Sequence, residues 1–203
     1  MSMAVVIPII ALWLAAIIFF SHYRIWILYY LVGSVGLAFI IIFIGRMLFL
    51  ENSLENVVTY CVHDVCNWVG VPTRIFQASP GSLLVLVIGQ DVGWTVLQIT
   101  IECSGLLEIG VMLGMVLFYP GWSLKKRVIL AGVGAIATFI ANIIRLFFIV
   151  EILHYAGKNS IFISHTIAGR AIFFFIVIAI YWYVLTRPML KDVRAKLERE
   201  AAA

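Results

Sequence analysis

Charge is scarce in this sequence. Asp, Glu, Lys and Arg make up 12% of its 203 residues, about half the usual share, and mean hydropathy is +1.12. That excludes a soluble globular domain and leaves an integral membrane protein. A net charge of +4 does not argue for a nucleic-acid partner, because the basic residues flank apolar runs, where membrane topology accounts for them. No Lys or Arg precedes the first apolar run and no small-x-small site follows it, so residues 3–20 read as a retained span rather than a cleaved signal. Internal repeats and low-complexity linkers are missing. So are zinc-ligand spacings, a P-loop and a Gly-x-Ser-x-Gly elbow, and no metal or cofactor is expected.

What is present is length. Residues 28–50, 105–119, 128–153 and 167–185 read as membrane helices, with residues 3–20 as a fifth despite Pro8. Nine of the fourteen Lys and Arg fall on one side: Arg24, then Lys125, Lys126 and Arg127, then five between Arg187 and Arg199. Arg74 and Lys158 alone fall on the other, and Arg46, Arg145 and Arg170 lie within spans. This bias predicts an outward N-terminus and a cytoplasmic C-terminus. The expected fold is an all-α integral membrane helical bundle of five helices, or six, in a single multi-pass domain spanning 1–203. Within it, residues 51–102 form an extracytoplasmic insertion and residues 187–203 a charged cytoplasmic tail, helical and solvated or headgroup-facing.

The insertion changes period halfway. Leu54, Val57, Val58, Cys61 and Val65 recur at helical spacing and predict an amphipathic helix on the membrane surface. From Asp91, Thr95, Leu97, Ile99 and Ile101 alternate against Trp94, Val96, Gln98, Thr100 and Glu102. With the preceding SLLVLVIG and the turn-like GQDVG, this predicts a β-hairpin. A sixth helix over 83–101 is the competing reading, made costly by Gln90, Asp91 and Gly93.

The stretch TIECSGLLEIG, residues 100–110, sets a carboxylate, a thiol, a hydroxyl and a glycine where a span begins. At about 1.5 Å per residue, Cys103 lies about 33 Å from Lys125, His165 about 33 Å from Arg187, and Arg145 about 27 Å from Arg127. Against a hydrocarbon core of about 30 Å, the three reach one outer boundary on three helices. Singly, each has an ordinary reading: a small hydrophobe, a snorkelling cation, a loop imidazole. Together they suit acyl transfer. A thiolate, favoured at a helix start, attacks a carbonyl; histidine moves the proton; arginine steadies a thiolate or oxyanion. Asn142 shares the Arg145 face and makes it polar. Supporting candidates are Ser104, Arg170 and Glu102, which either orients His165 or ends the strand. A non-enzymatic alternative is a small membrane carrier or envelope assembly factor binding an anionic group through Arg145 and Asn142. His154, about 40 Å from Arg127, is a weaker base candidate. His63, Cys61 and Cys66 sit on the surface helix, the two cysteines about 140° apart around it. Glu108 and Glu151 are expected to pair with nearby polar groups.

Glu102-Cys103-Ser104-Gly105, then Asn142-x-x-Arg145, then His165 with Gly169 and an aromatic run, resembles the exosortase/archaeosortase family over roughly residues 91–175. The small size and the β-rich segment before the cysteine look most like its Gram-positive branch. Histidine at the third position is similar to bacterial rather than archaeal members. The resemblance implies a cysteine transpeptidase or protease that cleaves the C-terminal sorting signal of exported, membrane-anchored proteins and transfers them to an envelope acceptor. It further implies Cys103 as nucleophile, Arg145 as the family's invariant arginine and His165 as the third catalytic group.

Overall fold

The computed structural model describes residues 3–47, 50–77, 84–89, 94–98, 101–157 and 160–201. In chain order the elements are α1 (Met3–His22), α2 (Trp26–Met47), α3 (Leu50–Val69), β1 (Thr73–Gln77), β2 (Leu84–Gly89), β3 (Trp94–Gln98), α4 (Ile101–Ser104), α5 (Leu106–Leu117) and α6 (Leu124–Ala156). The last helical run opens with a π-helical segment, Ile163–Ala168. It continues as α7 (Gly169–Tyr181), widens again at Trp182–Thr186 and ends as α8 (Arg187–Ala201). The protein is an all-α membrane bundle carrying one small sheet. Among the described residues, Trp26–Met47, Leu124–Ala156 and Ile163–Ala201 are long and apolar enough to cross a membrane, while Val6–His22 and Leu106–Leu117 are shorter apolar helices.

The chain divides into two compact units. The first comprises Met1–Ile44, Glu108–Ile136 and Ile180–Ala203. Its core gathers Met112, Val116, Trp122, Ala131, Val184 and Leu185. Trp13 of α1 donates its indole N–H to the Val32 carbonyl of α2 at 2.9 Å. Arg127 closes the loop before α6, donating from Nε to the Trp122 carbonyl at 2.9 Å and from Nη1 to that of Leu117 at 3.0 Å. Leu117 ends α5, so a guanidinium satisfies carbonyls that a helix terminus leaves unpaired.

The second unit comprises Gly45–Leu107 and Ala137–Ala179. Here α3 buries Val58, Val62 and Cys66 with Leu146, Ile149, Val150 and Leu153 of α6, Leu97 of β3, and Cys103. The expected helix is present, but its buried face is turned by one residue, about 100°. Glu55, Val58, Thr59, Val62 and Cys66 face inward, while Val57 is half exposed. The face was chosen by contact with α6 and the sheet rather than by apolarity alone, and Thr59 answers its own burial by donating to the Glu55 carbonyl at 2.7 Å.

Strands, not a sixth helix, occupy the segment after α3. The expected hairpin is β2 with β3, antiparallel, with Leu86 opposite Leu97; its turn at 90–93 lies outside the described residues. The sheet has a third strand that the alternation did not announce: β1 pairs antiparallel with β2, Thr73 opposite Ile88. Its start is pinned to α3, since His63 Nδ1 lies 2.6 Å from Thr73 Oγ1 while Asn67 Nδ2 lies 3.0 Å from His63 Nε2.

Candidate active site

Cys103 sits on the four-residue α4, directly before a break in the chain. Gly105 holds φ at +76°, a left-handed conformation that costs an L-residue about 1–2 kcal/mol. The break corrects the depth reckoned for Cys103, which took residues 103–125 as one helix. Gly105 and the turns over 118–123 interrupt it, leaving α5 with 12 residues, a rise of about 18 Å. The same break sets α4 against α6. A Cβ on Gly105 would stand 3.2 Å from Asn142 Nδ2 and 3.3 Å from its Cβ and Cγ, so only glycine leaves room there. Asn142 uses that room: fully buried, it donates from Nδ2 to the Cys103 carbonyl at 2.6 Å. Ser104, also fully buried, accepts the Leu106 N–H at 3.2 Å and so caps the start of α5. The peptide carrying the thiol is thus held from both sides.

His165 comes to this thiol from the other end of the unit's sequence. Its Nε2 lies 3.6 Å from Cys103 Sγ, a hydrogen-bonding distance for sulfur. The imidazole stands on the π-helical segment, where the Gly169 N–H reaches back to the Ser164 carbonyl. Such widened turns are rare and recur at functional sites, because they swing one side chain out of helical phase. Ser164 is fully buried and donates to the Ile161 carbonyl at 3.1 Å. Gly169 lets this segment approach α6: a Cβ there would be 2.6 Å from Ile149 Cδ1.

Arg145, one turn beyond Asn142 on α6, is only 6% exposed. Its Cζ lies 5.3 Å from the centre of the Phe173 ring on α7, a cation–π contact worth about 2 kcal/mol when desolvated. Among the described residues, Arg145 Nε and Asn142 Oδ1 are buried without a hydrogen-bond partner. One is a donor and the other an acceptor. Each is costly to leave unanswered in the interior, the one wanting an acceptor and the other a donor. A thiol within reach of an imidazole can carry nucleophilic acyl chemistry.

Of the sequence-predicted residues, Cys103 and His165 come together directly. Asn142 and Ser104 hold the peptide of the first, and Arg145 lies on the Asn142 face. Arg170 is exposed on α7. The side chain of Glu102 lies outside the described residues. His154 meets Tyr155 edge-on at 5.0 Å, and His63 is engaged with Thr73 and Asn67. Cys61, Cys66 and Cys103 form no disulfide. Cys66, fully buried on α3, has its pKa pushed up to about 12 by burial and then by the Glu151 carboxylate. Phe173 was not anticipated. It is one of an unbroken aromatic run, Phe173, Phe174 and Phe175, and only the arginine facing it distinguishes it from its neighbours.

Helical spans, with a thiol beside an imidazole just before a capped helix start, define a multi-pass membrane protein with a candidate acyl-transfer centre. Residues 1–183 match the family model described as Transmembrane exosortase (Exosortase_EpsH), and the chain belongs to that family. Its function is therefore of the membrane transpeptidase type. Among curated proteins and solved structures, none matches the chain.

Proposed function

We propose that this protein is a cysteine transpeptidase of the Gram-positive exosortase branch that cleaves C-terminal sorting signals of exported, membrane-anchored proteins. The observation that carries the reading is the 3.6 Å approach of His165 Nε2 to Cys103 Sγ. His165 accepts the thiol proton as sulfur attacks the scissile carbonyl. Arg145 stabilises the oxyanion, and its unanswered Nε supports that role. As the tetrahedral intermediate collapses, the C–N bond breaks and His165 returns its proton to the leaving amine. The thioester is then taken by an amine or hydroxyl of an envelope acceptor, or by water, which frees the thiol. Asn142 Oδ1 is suited to accept the substrate's N–H beside that carbonyl.

The reading places the site at the extracytoplasmic face, with the N-terminus outside, the 51–102 insertion on the same side, and the charged tail in the cytoplasm. It treats the chain as one multi-pass domain. The test compares C-terminal tails of exported proteins in cells carrying wild type, Cys103→Ala or Cys103→Ser. Tails should be released by wild type and retained in both variants. Full processing by either variant overturns thiolate attack and returns the choice to a non-enzymatic carrier or assembly factor using Arg145 and Asn142.

A further inference from the structure

The first unit carries an open cavity of about 660 Å³ lined by Ser123, Lys125, Lys126, Tyr183, Arg187 and Lys191, among others, with Asp192 its single carboxylate. Two distant stretches build it: the start of α6, and the end of the last span where it becomes α8. On the second, Tyr183, Arg187 and Lys191 are four residues apart and share one face. Four cations therefore converge on one anion. That anion is already taken, since Asp192 pairs with Lys126. Lys125, Arg187 and Lys191 have no carboxylate partner among the described residues, and Arg187 rests over the Tyr183 ring at 5.8 Å. Arg127, the remaining cation of the loop, is spent on main-chain carbonyls.

Unscreened like charges in one cavity repel, and the ordinary remedy is to splay long side chains into water. Here the fold adds positive potential instead. Ser123 immediately precedes the 33-residue α6, whose first-turn N–H groups have no helical acceptor and are suited to an anion's oxygens. Tyr183, exposed at the cavity, belongs to the amphipathic aromatics that mark headgroup level. We propose that this cavity binds a phosphate-bearing anion, through Lys125, Arg187, Lys191 and the start of α6. The proposal is independent of the transpeptidase reading and of which face is cytoplasmic.

Phosphate chemistry has two sources, a phospholipid headgroup and a free phosphate. Full-length protein in neutral detergent is titrated with short-chain phosphatidylglycerol, with phosphatidylcholine of the same chain length, and with inorganic phosphate, binding being read by native mass spectrometry and by thermal shift. Phosphatidylglycerol is expected to bind saturably and phosphatidylcholine weakly. Arg187→Gln with Lys191→Gln should weaken phosphatidylglycerol about 25-fold, at about fivefold per cation. Lys196→Gln with Arg199→Gln removes the same charge from the same helix outside the cavity and should weaken it less than twofold. Competition by inorganic phosphate supports the site and identifies a soluble source; binding of the lipid without such competition supports it and identifies the membrane. No saturable anion binding, equal binding of phosphatidylcholine, or equal losses in the two double variants overturns it.

Discussion

The Asn142 side-chain amide donates to the main-chain oxygen of Cys103 across 2.6 Å, tying the peptide that carries the thiol to the 33-residue α6. The bond joins residues 39 apart, so one amide fixes the sulfur relative to the Arg145 turn. It is also where a merely structural asparagine and a site asparagine part company. Replacing it by leucine strands a buried carbonyl, at about 1–3 kcal/mol, and loosens the Cys103 peptide. Asn142→Leu should lower Tm modestly and slow processing about 10- to 100-fold. A variant with full activity and lowered Tm would assign the residue to packing alone.

His165→Gln keeps a hydrogen-bonding side chain at the π-helical turn but cannot cycle a proton. Processing should fall by about 10²–10⁴-fold with Tm nearly unchanged, as read by tail release and thermal denaturation. Arg145→Gln, which removes the cation over Phe173, should cost about 10²–10³-fold.

Gly105→Ala puts a Cβ on a residue at φ +76°, 3.2 Å from Asn142 Nδ2. Strain of about 1–2 kcal/mol is expected from the backbone alone, visible as a lowered Tm. Because the new methyl meets the same amide that holds Cys103, activity should fall further than Gly70→Ala reduces it. Gly70 is also left-handed, at φ +92°, but a Cβ there meets nothing within 4 Å.

Cys66 sets a stability term with a definite sign. Its folded pKa, raised from an ordinary 9.0 to about 12, means the folded protein keeps a proton that the unfolded chain releases. The contribution is complete below pH 9 and is lost as pH rises from 9 towards 12, with a slope of up to about 1.4 kcal/mol per unit. Cys66→Val should flatten that alkaline limb in pH-dependent unfolding. In intact cells, a membrane-impermeant maleimide should label Cys61, which is partly exposed on α3, and leave Cys66 unmodified. Labelling of Cys61 only in inverted vesicles would reverse the proposed orientation.

The residues of the candidate site were legible because a membrane chain that is scarce in polar groups makes each one conspicuous. Cys103, Asn142, Arg145 and His165 stood out in apolar text, β3 stood out by alternation, and β2 by its β-branched run. What failed did so where contacts overrule local pattern. β1 is five residues, TRIFQ, too short for its alternation to register, and it exists because β2 offers it an edge and His63 holds Thr73. The face of α3 was misjudged because Glu55 and Thr59 turn inward with partners that periodicity cannot anticipate. Continuous-helix arithmetic failed for Cys103 at Gly105, where a single torsion ends one helix and begins another. It held for Arg145, which shares unbroken α6 with Arg127. The π-helical turn under His165 has no signature in residue type, since it differs from an α-turn only in which carbonyl each N–H selects.

The brevity of α5 bears on the acyl transfer proposed for Cys103. Its twelve residues rise about 18 Å, and a bilayer's oily interior is about 30 Å deep. Lipid alongside such a stub is pinched, or wetted, by the difference. In the reaction proposed above, an acyl group on Cys103, just before α5, is then reachable by a hydrophilic acceptor that never has to dissolve in fat, as a transferase working at a greasy boundary requires.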